Sequence, residues 1–233
     1  MGTLIIENAE KRAEGIKEIL AKKGANSELI KIFKHEKLPT VGKHEAVIVS
    51  GGPMGVYELY KPEYNYILEE CDFLSEAINR KVAILGICFG HQLLAHILGG
   101  KVMRAENEAE IGWSKIILNP EGVKDPLFDG FPTEFESFQY HYDQIIELPR
   151  EVLILGNSHK CLVQAFRYKS QPVWGVQFHP EISPQKAKKI LLERKEKLEK
   201  MGLDVFLTIN HGIQLGRNPG EQIFYNFIKA INR

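Results

Sequence analysis

Short apolar runs that alternate with helical patterns constrain the fold of this chain more than any other feature. Residues 46–50 and 82–86 are almost entirely apolar and lack the alternation of a half-exposed strand. Such runs are typical of strands that are buried on both faces of a sheet. A segment with helical periodicity follows each run. This alternation predicts an α/β domain with a mainly parallel sheet.

The predicted elements change in character along the chain. In the first half, we predict strands at 3–6, 29–33, 46–50 and 82–86, and helices at 9–23, 63–79 and 91–98. In the second half, strand-like runs at 115–118, 152–155, 162–166 and 173–178 predict that a mixed sheet continues the first. A charged helix is predicted at 185–201, and a terminal helix is predicted from Asn218, whose side chain suits an N-cap. We therefore predict one domain over residues 1–233, with a C-terminal extension at about 183–233.

Composition narrows the class of protein. The 233 residues include 30 basic and 30 acidic side chains, so net charge gives no reason to expect a nucleic-acid partner. No apolar run reaches the length of a membrane span, and the N-terminus lacks the features of a signal peptide. The three cysteines do not form the pattern of a disulfide framework or a zinc site. We therefore expect a cytoplasmic protein that uses no metal and no cofactor.

Cys88 lies where a catalytic thiol would be presented. It stands between a predicted strand and a predicted helix, with Gly86 and Gly90 on either side. Glycines relieve the crowding of a sharp strand-to-helix turn, and a helix N-terminus favours a thiolate. A free cysteine is more often a small core residue, and we interpret Cys71 and Cys161 in that way. At Cys88 the setting favours a nucleophile.

A thiol nucleophile needs a base, and a candidate base ends a later strand. His179 and Glu181 follow the strand-like run at 173–178, at the carboxyl end where α/β sheets place their chemistry. Glu181 would accept a hydrogen bond from one imidazole nitrogen and leave the other for the thiol. A His-Pro-Glu string alone is more typical of a surface turn. Together with Cys88 it suggests a Cys–His–Glu triad.

A glycine-rich loop follows the predicted strand at 46–50. Residues 50–55 read SGGPMG and lack the Gly-Lys-Ser/Thr of a phosphate-binding loop. One interpretation is an ordinary turn. The other is that the backbone N–H of Gly52 faces the N–H of Phe89, so that the two donors form an oxyanion hole.

These segments, in this order, resemble the class I, triad-type glutamine amidotransferases, and within them the GMP-synthase-like branch. The matching motifs are SGGPMGVYE at 50–58, LGICFGHQLLAHILGG at 85–100 and GVQFHPE at 175–181. Two further segments, at 110–113 and 138–143, resemble the same branch. The resemblance implies a flavodoxin-like open, mainly parallel mixed sheet with helices on both faces.

The resemblance also implies a reaction. Cys88 attacks the side-chain amide of glutamine, and the N–H groups of Gly52 and Phe89 hold the oxyanion. Ammonia leaves, and water then hydrolyses a γ-glutamyl thioester. His179 exchanges the protons as general base and acid, and Glu181 orients it.

Three more residues fall where relatives bind substrate or shape the pocket. Gln92 resembles a glutamine-binding residue. Tyr140 and His141 lie in the segment that lines the pocket of relatives, although His141 is equally interpretable as an ordinary surface histidine. Many relatives have a small polar residue where this chain has Tyr140. The role of the segment at 203–217 is not predicted, and its stretch at 206–212 suits an edge hairpin, a lid or a docking surface.

Three functions are compatible with the sequence. The first is a glutaminase that passes ammonia to a separate synthetase subunit, since the chain lacks a Ser-Gly-Gly-x-Asp-Ser loop for activating an acceptor with ATP. The second is a stand-alone hydrolase of another γ-glutamyl compound, an amide or a peptide, which passes through the same thioester. The third is a non-catalytic binding or regulatory protein. The sequence does not determine the oligomeric state.

Overall fold

The computed structural model describes residues 2–105, 109–169 and 171–231 and is built on a nine-stranded sheet with a separate two-stranded sheet. The strands are β1 (Thr3–Glu7), β2 (Ser27–Lys31), β3 (Ala46–Val49), β4 (Ala83–Ile87), β5 (Lys101–Arg104), β6 (Glu110–Leu118), β7 (Glu134–His141), β8 (Asp143–Glu147), β9 (Val152–Asn157), β10 (Ala165–Tyr168) and β11 (Val173–Val176).

The α-helices of those described ranges are α1 (Glu14–Lys22), α2 (Tyr66–Asn79), α3 (Phe89–Ile97), α4 (Pro120–Lys124), α5 (Pro184–Glu193), α6 (Lys195–Lys200), α7 (Val205–Leu215) and α8 (Gln222–Ile231). Short 3₁₀ segments lie at Ile32–Lys34, Val56–Glu58, Pro62–Tyr64, Pro126–Phe128 and Pro219–Glu221. Among these helices, none combines the length and the apolar character needed to cross a membrane.

The strand order of the large sheet is β2-β1-β3-β4-β11-β10-β9-β6-β7. Pairing is parallel from β2 to β11 and antiparallel from β11 to β7. Strands β5 and β8 form the separate antiparallel pair. The prediction that a mixed sheet continues the parallel one is confirmed.

Alternate residues of the central strands point into two apolar clusters on opposite faces of the sheet. Leu4 and Ile6 of β1 pack in the cluster that contains residues of α2 and α3. Ile5, between them, packs in the cluster that contains residues of α1 and α8. Because both faces are covered, these strands are continuous apolar runs. The predicted α/β class with helices on both faces is confirmed.

Some predicted boundaries were wrong in ways that local contacts explain. The helix predicted at 9–23 begins at Glu14, because the chain first turns through Lys11 with φ 61° and the N–H of Ala13 bonds Oε1 of Glu7 at 2.9 Å. The strand predicted at 162–166 begins at Ala165. The predictions also omitted β5, β7 and β8, which carry many polar residues.

The C-terminal segment is helical. The helix predicted at 185–201 is two helices, which break at Arg194 with φ −115° and ψ 12°. The stretch at 206–212 lies in α7, so it is not an edge hairpin. Helix α7 approaches β6 so closely that a Cβ on Gly212 would collide with the indole of Trp113. Helix α8 packs in the apolar cluster that contains Ile5 and residues of α1, and its two phenylalanines there are fully buried.

Asn218 joins this segment to the loop that carries His179. Its Nδ2 donates to the carbonyl oxygens of His179 at 2.8 Å and Ile182 at 2.9 Å. Its Oδ1 accepts from Oγ of Ser137 at 2.9 Å and from the N–H of Gly220 at 3.0 Å. The side chain is buried and uses its full hydrogen-bonding capacity. It is the N-cap residue that the sequence predicted, and it also fixes the His179 loop.

Replacing Asn218 with alanine should destabilise the fold markedly. The substitution removes four hydrogen bonds and leaves buried partners unsatisfied, so we expect the free energy of unfolding to fall by about 2–4 kcal/mol. Urea denaturation followed by circular dichroism measures this change. The control is Asn210→Ala on the exposed side of α7, for which we expect a change within about 0.5 kcal/mol. Equal effects of the two substitutions would contradict the role of Asn218.

Candidate active site

Three neighbouring parallel strands bring the candidate site together at one edge of the sheet. Strand β4 lies between β3 and β11, and all three run in the same direction. The glycine-rich loop follows β3, Cys88 follows β4, and His179 follows β11. Because the carboxyl ends of parallel strands share an edge, residues that are distant in the sequence meet here.

Cys88 occupies a sharp turn between β4 and α3. Its φ of 52° and ψ of −103° form a conformation that residues with a side chain rarely adopt, and such strain costs of the order of 1–3 kcal/mol. The flanking glycines make the turn feasible. A Cβ on Gly86 would collide with the carbonyl oxygen of Gly90, and a Cβ on Gly90 would lie 2.5 Å from the carbonyl oxygen of Val49. The N–H of Cys88 bonds the carbonyl of Val176 at 2.9 Å, which ties the turn to β11.

The three side chains of the predicted triad lie in contact. Nδ1 of His179 donates to Oε1 of Glu181 at 2.7 Å. The other side of the ring is left for Cys88, which lies close enough to raise the pKa of His179. Cys88, His179 and Glu181 are 6%, 4% and 8% exposed, so little water competes for these contacts.

The surroundings of His179 keep it charged. Burial alone would lower the pKa of the imidazole, but the charge of Glu181 and then that of Cys88 outweigh burial and raise the pKa to about 10. His179 therefore carries its proton at neutral pH. Burial raises the pKa of the other two cysteines, Cys71 and Cys161, to about 12. Both remain thiols at neutral pH, in agreement with their structural interpretation.

The glycine-rich loop lies directly against the cysteine and the histidine. A Cβ on Gly51 would lie 3.2 Å from Cε1 of His179 and 3.5 Å from Cβ of Cys88. Gly52 lines the same cavity as Cys88. Phe89 is the first residue of α3, so its N–H has no acceptor within the helix. The two predicted oxyanion donors therefore belong to neighbouring loops beside the thiol.

A cavity of about 290 Å³ opens above the thiol, and Gln92, Tyr140 and His141 all line it. Nε2 of Gln92 donates to the carbonyl of Asp143 and to Oε1 of Gln177, both at 3.0 Å. Because both amide hydrogens are used, Gln92 can offer a ligand only its oxygen.

His141 is buried, so its interpretation as an ordinary surface histidine was wrong. Its Nδ1 bonds the carbonyl of Asp143 at 3.0 Å, and its Nε2 bonds Oε2 of Glu110 at 3.2 Å. The ring is thereby held in one orientation at the wall of the cavity.

Glu110 supports this wall and was missed as a functional residue. Its Oε2 accepts from Nε2 of Gln164 at 2.7 Å and from Oγ of Ser158 at 3.0 Å, in addition to His141. Burial alone would raise the pKa of Glu110, but the hydrogen bond and the charge of His141, together with the hydrogen bond from Ser158, outweigh burial and lower the pKa. A signal was present, since Glu110 begins a segment that resembles the family, but its partners are separated from it in the sequence.

Comparison with known proteins agrees with this geometry. A family model described as "Glutamine amidotransferase class-I" matches residues 4–198. The chain belongs to the class-I glutamine amidotransferases. A relative, a subunit of the glutamine-hydrolyzing GMP synthase of Methanocaldococcus jannaschii, is 33% identical over 181 residues, which cover 77% of this chain and 88% of that protein. The corresponding subunit of Methanococcus aeolicus is 39% identical over 139 residues, which cover 60% of this chain and 65% of that protein.

A further relative matches this chain over only part of its length, and a solved structure matches it over nearly the whole length. The chain aligns with only 28% of the length of the glutamine-hydrolyzing GMP synthase of Thermosipho melanesiensis, at 37% identity and over 67% of its own length. The crystal structure of a glutamine amidotransferase from Thermotoga maritima superposes with a TM-score of 0.85 at 27% identity, and the match covers 99% of this chain and 97% of that one.

The C-terminal segment of this amidotransferase reaches the mouth of the cavity. Nη1 of Arg194, at the break between α5 and α6, donates to Oη of Tyr140 at 3.3 Å, and the guanidinium lies 5.2 Å from the centre of that ring. Lys197 and Arg104 lie 5.1 Å and 5.3 Å from the centre of the Tyr142 ring. The cationic and aromatic rim therefore includes Arg194 and Lys197 from the charged helix predicted at 185–201, for which the sequence predicted no role at the site.

Replacing Glu181 with glutamine should uncouple the buried histidine from its counter-charge. The pKa of His179 should fall from about 10, because burial is then opposed by fewer charges. In the wild type, His179 stabilises the fold below its unfolded pKa of about 6.5, and this contribution is lost as pH rises toward about 10. The substitution should reduce that pH dependence. NMR titration of ¹⁵N-labelled histidine measures the pKa.

The matched control for Glu181→Gln is Glu136→Gln, which removes a carboxylate from the more exposed His211. We expect the control to leave the titration of His179 unchanged. An unchanged pKa in Glu181→Gln would show that the carboxylate does not hold the proton on His179.

Proposed function

We propose that this chain hydrolyses the side-chain amide of glutamine and supplies the ammonia to a separate synthetase subunit. The observation that carries the proposal is the strained Cys88 turn, with a charged His179 between Cys88 and Glu181 at the base of a cavity. Buried charge placed beside a thiol in this way is an arrangement that activates a nucleophile. The names of the relatives, subunits of glutamine-hydrolyzing GMP synthases, support glutamine as the substrate.

In the first half-reaction, the thiolate of Cys88 attacks the amide carbon of glutamine. The N–H groups of Gly52 and Phe89 stabilise the oxyanion that forms. His179 already holds a proton, so it acts first as an acid and gives that proton to the nitrogen as the carbon–nitrogen bond breaks. Ammonia leaves, and the γ-glutamyl group remains on sulfur as a thioester.

In the second half-reaction, His179 is neutral and acts as a base. It takes a proton from water while the water oxygen attacks the thioester carbon, and the same two backbone donors hold the second oxyanion. When the carbon–sulfur bond breaks, glutamate leaves and Cys88 returns to a thiolate beside protonated His179. Glu181 stabilises the imidazolium and fixes the ring through Nδ1 in both halves.

We assign substrate positioning to Gln92, Tyr140 and His141. The free oxygen of Gln92 accepts from an N–H of the substrate, and the fixed ring of His141 and the ring of Tyr140 shape the cavity wall. These roles follow from what each side chain still has to offer a ligand after its own hydrogen bonds are satisfied.

The relatives favour an ammonia-supplying subunit over a stand-alone γ-glutamyl hydrolase, because two of them are named as subunits of a synthase. A non-catalytic role fits poorly with a buried, charged triad, since burying charges without a function costs stability. The cytoplasmic location and the single-domain organisation stay predictions.

Ammonia release from glutamine tests the proposal, with and without an added candidate synthetase subunit. We expect wild type to release ammonia and Cys88→Ala to lower kcat by about 10³-fold or more, because the thioester cannot form. The control is Cys161→Ala, which should retain activity in a folded protein. If wild type cleaves neither glutamine nor γ-glutamyl peptides, with or without the added subunit, the proposal fails.

A glutamine analogue that alkylates thiols should label Cys88 and spare the other two cysteines. The reason is that Cys88 lines the cavity beside a charged histidine, whereas the pKa of Cys71 and of Cys161 is raised to about 12. Peptide mass spectrometry locates the label. Finding most of the label on either other cysteine would overturn the assignment of the nucleophile.

A further inference from the structure

Glu70 is a fully buried carboxyl group that the mechanism above does not use. It lies in α2, facing the end of β1, and is 0% exposed. Burial raises its pKa to about 8, opposed by a hydrogen bond from Asn8. Among the described residues no cation forms an ion pair with Glu70. An ionised Glu70 would therefore be an uncompensated buried charge, so the group is a neutral acid at neutral pH.

Two buried polar atoms without partners indicate which hydrogen bond the protonated carboxyl of Glu70 can form. Nδ2 of Asn8 donates to Oε1 of Glu70 at 3.2 Å. Oδ1 of Asn8 and Oε2 of Glu70 are also buried, and neither has a partner among the described residues if the acid is ionised. A protonated carboxyl carries a hydrogen that can be donated from Oε2, and an amide oxygen accepts it. The two atoms without partners are thus complementary as soon as Glu70 carries a proton.

Asn8 is connected to the glycine-rich loop through Ser50. The N–H of Asn8 donates to Oγ of Ser50 at 3.0 Å, and the hydroxyl of Ser50 donates to the carbonyl oxygen of Gly51 at 3.0 Å. That carbonyl and the N–H of Gly52 belong to the same planar peptide group, where they point in opposite directions. Fixing the oxygen of Gly51 therefore fixes the direction of the Gly52 N–H.

Packing reinforces this connection. Cβ of Asn8 lies 3.4 Å from the position that a Cβ on Gly52 would occupy, so the loop rests on Asn8. On the other side of the loop, a Cβ on Gly51 would lie 3.2 Å from Cε1 of His179 and 3.5 Å from Cβ of Cys88. The hydroxyl of Tyr66 donates to the carbonyl of Asn8 at 3.2 Å and holds the same residue from α2.

We propose that protonated Glu70 is a positioning residue that pairs with Asn8 through two hydrogen bonds and so orients the Gly52 N–H toward the oxyanion. The inference rests on the proposed function, in which Gly52 supplies that donor. A donor that acts on developing charge stabilises the transition state more than the bound substrate. Loss of the pair should therefore lower kcat and leave KM nearly unchanged.

Two substitutions of Glu70 test whether its two hydrogen bonds to Asn8 are needed. Glu70→Gln keeps an acceptor for Nδ2 of Asn8 and a donor for Oδ1, so we expect a kcat within about 3-fold of wild type. Glu70→Leu keeps the volume but removes both hydrogen bonds, and we expect kcat to fall about 10- to 100-fold with KM within about 2-fold. A glutamine variant as slow as the leucine variant would overturn the proposal, and so would a folded leucine variant with wild-type kcat.

Ser50→Ala keeps the test decisive if Glu70→Leu does not fold. It leaves both side chains of the Glu70–Asn8 pair in place and removes the hydroxyl that accepts from the N–H of Asn8 and donates to the carbonyl of Gly51. We expect a folded protein with the same pattern, a lower kcat and a similar KM. An unchanged kcat would overturn the connection from Asn8 to the loop.

The pH profile gives a readout that a purely structural role would not move. As pH rises through about 8, Glu70 should ionise, lose its donated hydrogen bond and lower the wild-type kcat. Glu70→Gln cannot titrate and should keep its kcat over that range. The titratable groups beside Glu70 on α2 are Tyr66 and Cys71, and the pKa of each is raised to about 12 by burial, so neither titrates there. His35 packs edge-on against Tyr66.

If the kcat of wild type and of Glu70→Gln changes in the same way as pH rises through about 8, the proposal is contradicted. The same assay distinguishes failure of the proposed function from failure of the role of Glu70. Absence of wild-type glutamine hydrolysis contradicts the proposed function itself. Normal wild-type hydrolysis with an unaltered kcat in the Glu70→Leu and Ser50→Ala variants contradicts only the role of Glu70.

Discussion

The parallel pairing of β3, β4 and β11 is the constraint on which the rest of the site depends. It places three loop starts side by side, so a thiol, an imidazole and two backbone donors meet without any of their loops having to be long. The pairing in turn requires that both faces of these strands be covered by helices, and the alternation of residues between two apolar clusters provides this. Core packing and catalysis therefore share one architectural cause.

That arrangement concentrates strain at Cys88, and neighbouring contacts hold the strained turn in place. The flanking glycines provide room, and the bond from the Cys88 N–H to Val176 anchors the turn to the next strand. The His179 loop is held from the other end of the chain, by Asn218. A residue in a rarely adopted conformation persists only where its surroundings fix it in several ways. The extension after His179 is thus part of what keeps the site in shape.

The sequence was sufficient to predict the elements that depend on local pattern and on motifs. It identified the parallel strands, the cysteine turn and the pairing of His179 with Glu181, because each is encoded within a few neighbouring residues. It failed where structure depends on contacts distant in the sequence. Strands such as β7 and β8 are stabilised by pairing partners rather than by apolar periodicity, and Glu110 acquires its role from Gln164 and Ser158.

The protonation states of the buried glutamates also depend on partners that are distant in the sequence. Glu181, Glu110 and Glu70 are the same residue type, and all three are buried. Glu181 accepts a hydrogen bond from the charged imidazole of His179, and the donors around Glu110 lower the pKa of that carboxyl. Glu70 faces one amide and no cation in the described part of the chain, so its environment favours the neutral acid. In the proposed mechanism, a carboxylate supports the charged histidine that transfers protons, whereas a neutral acid can donate a hydrogen bond to an amide oxygen. One residue type therefore serves two opposite purposes around a single thiol, and the choice is made by partners that only the folded chain brings near.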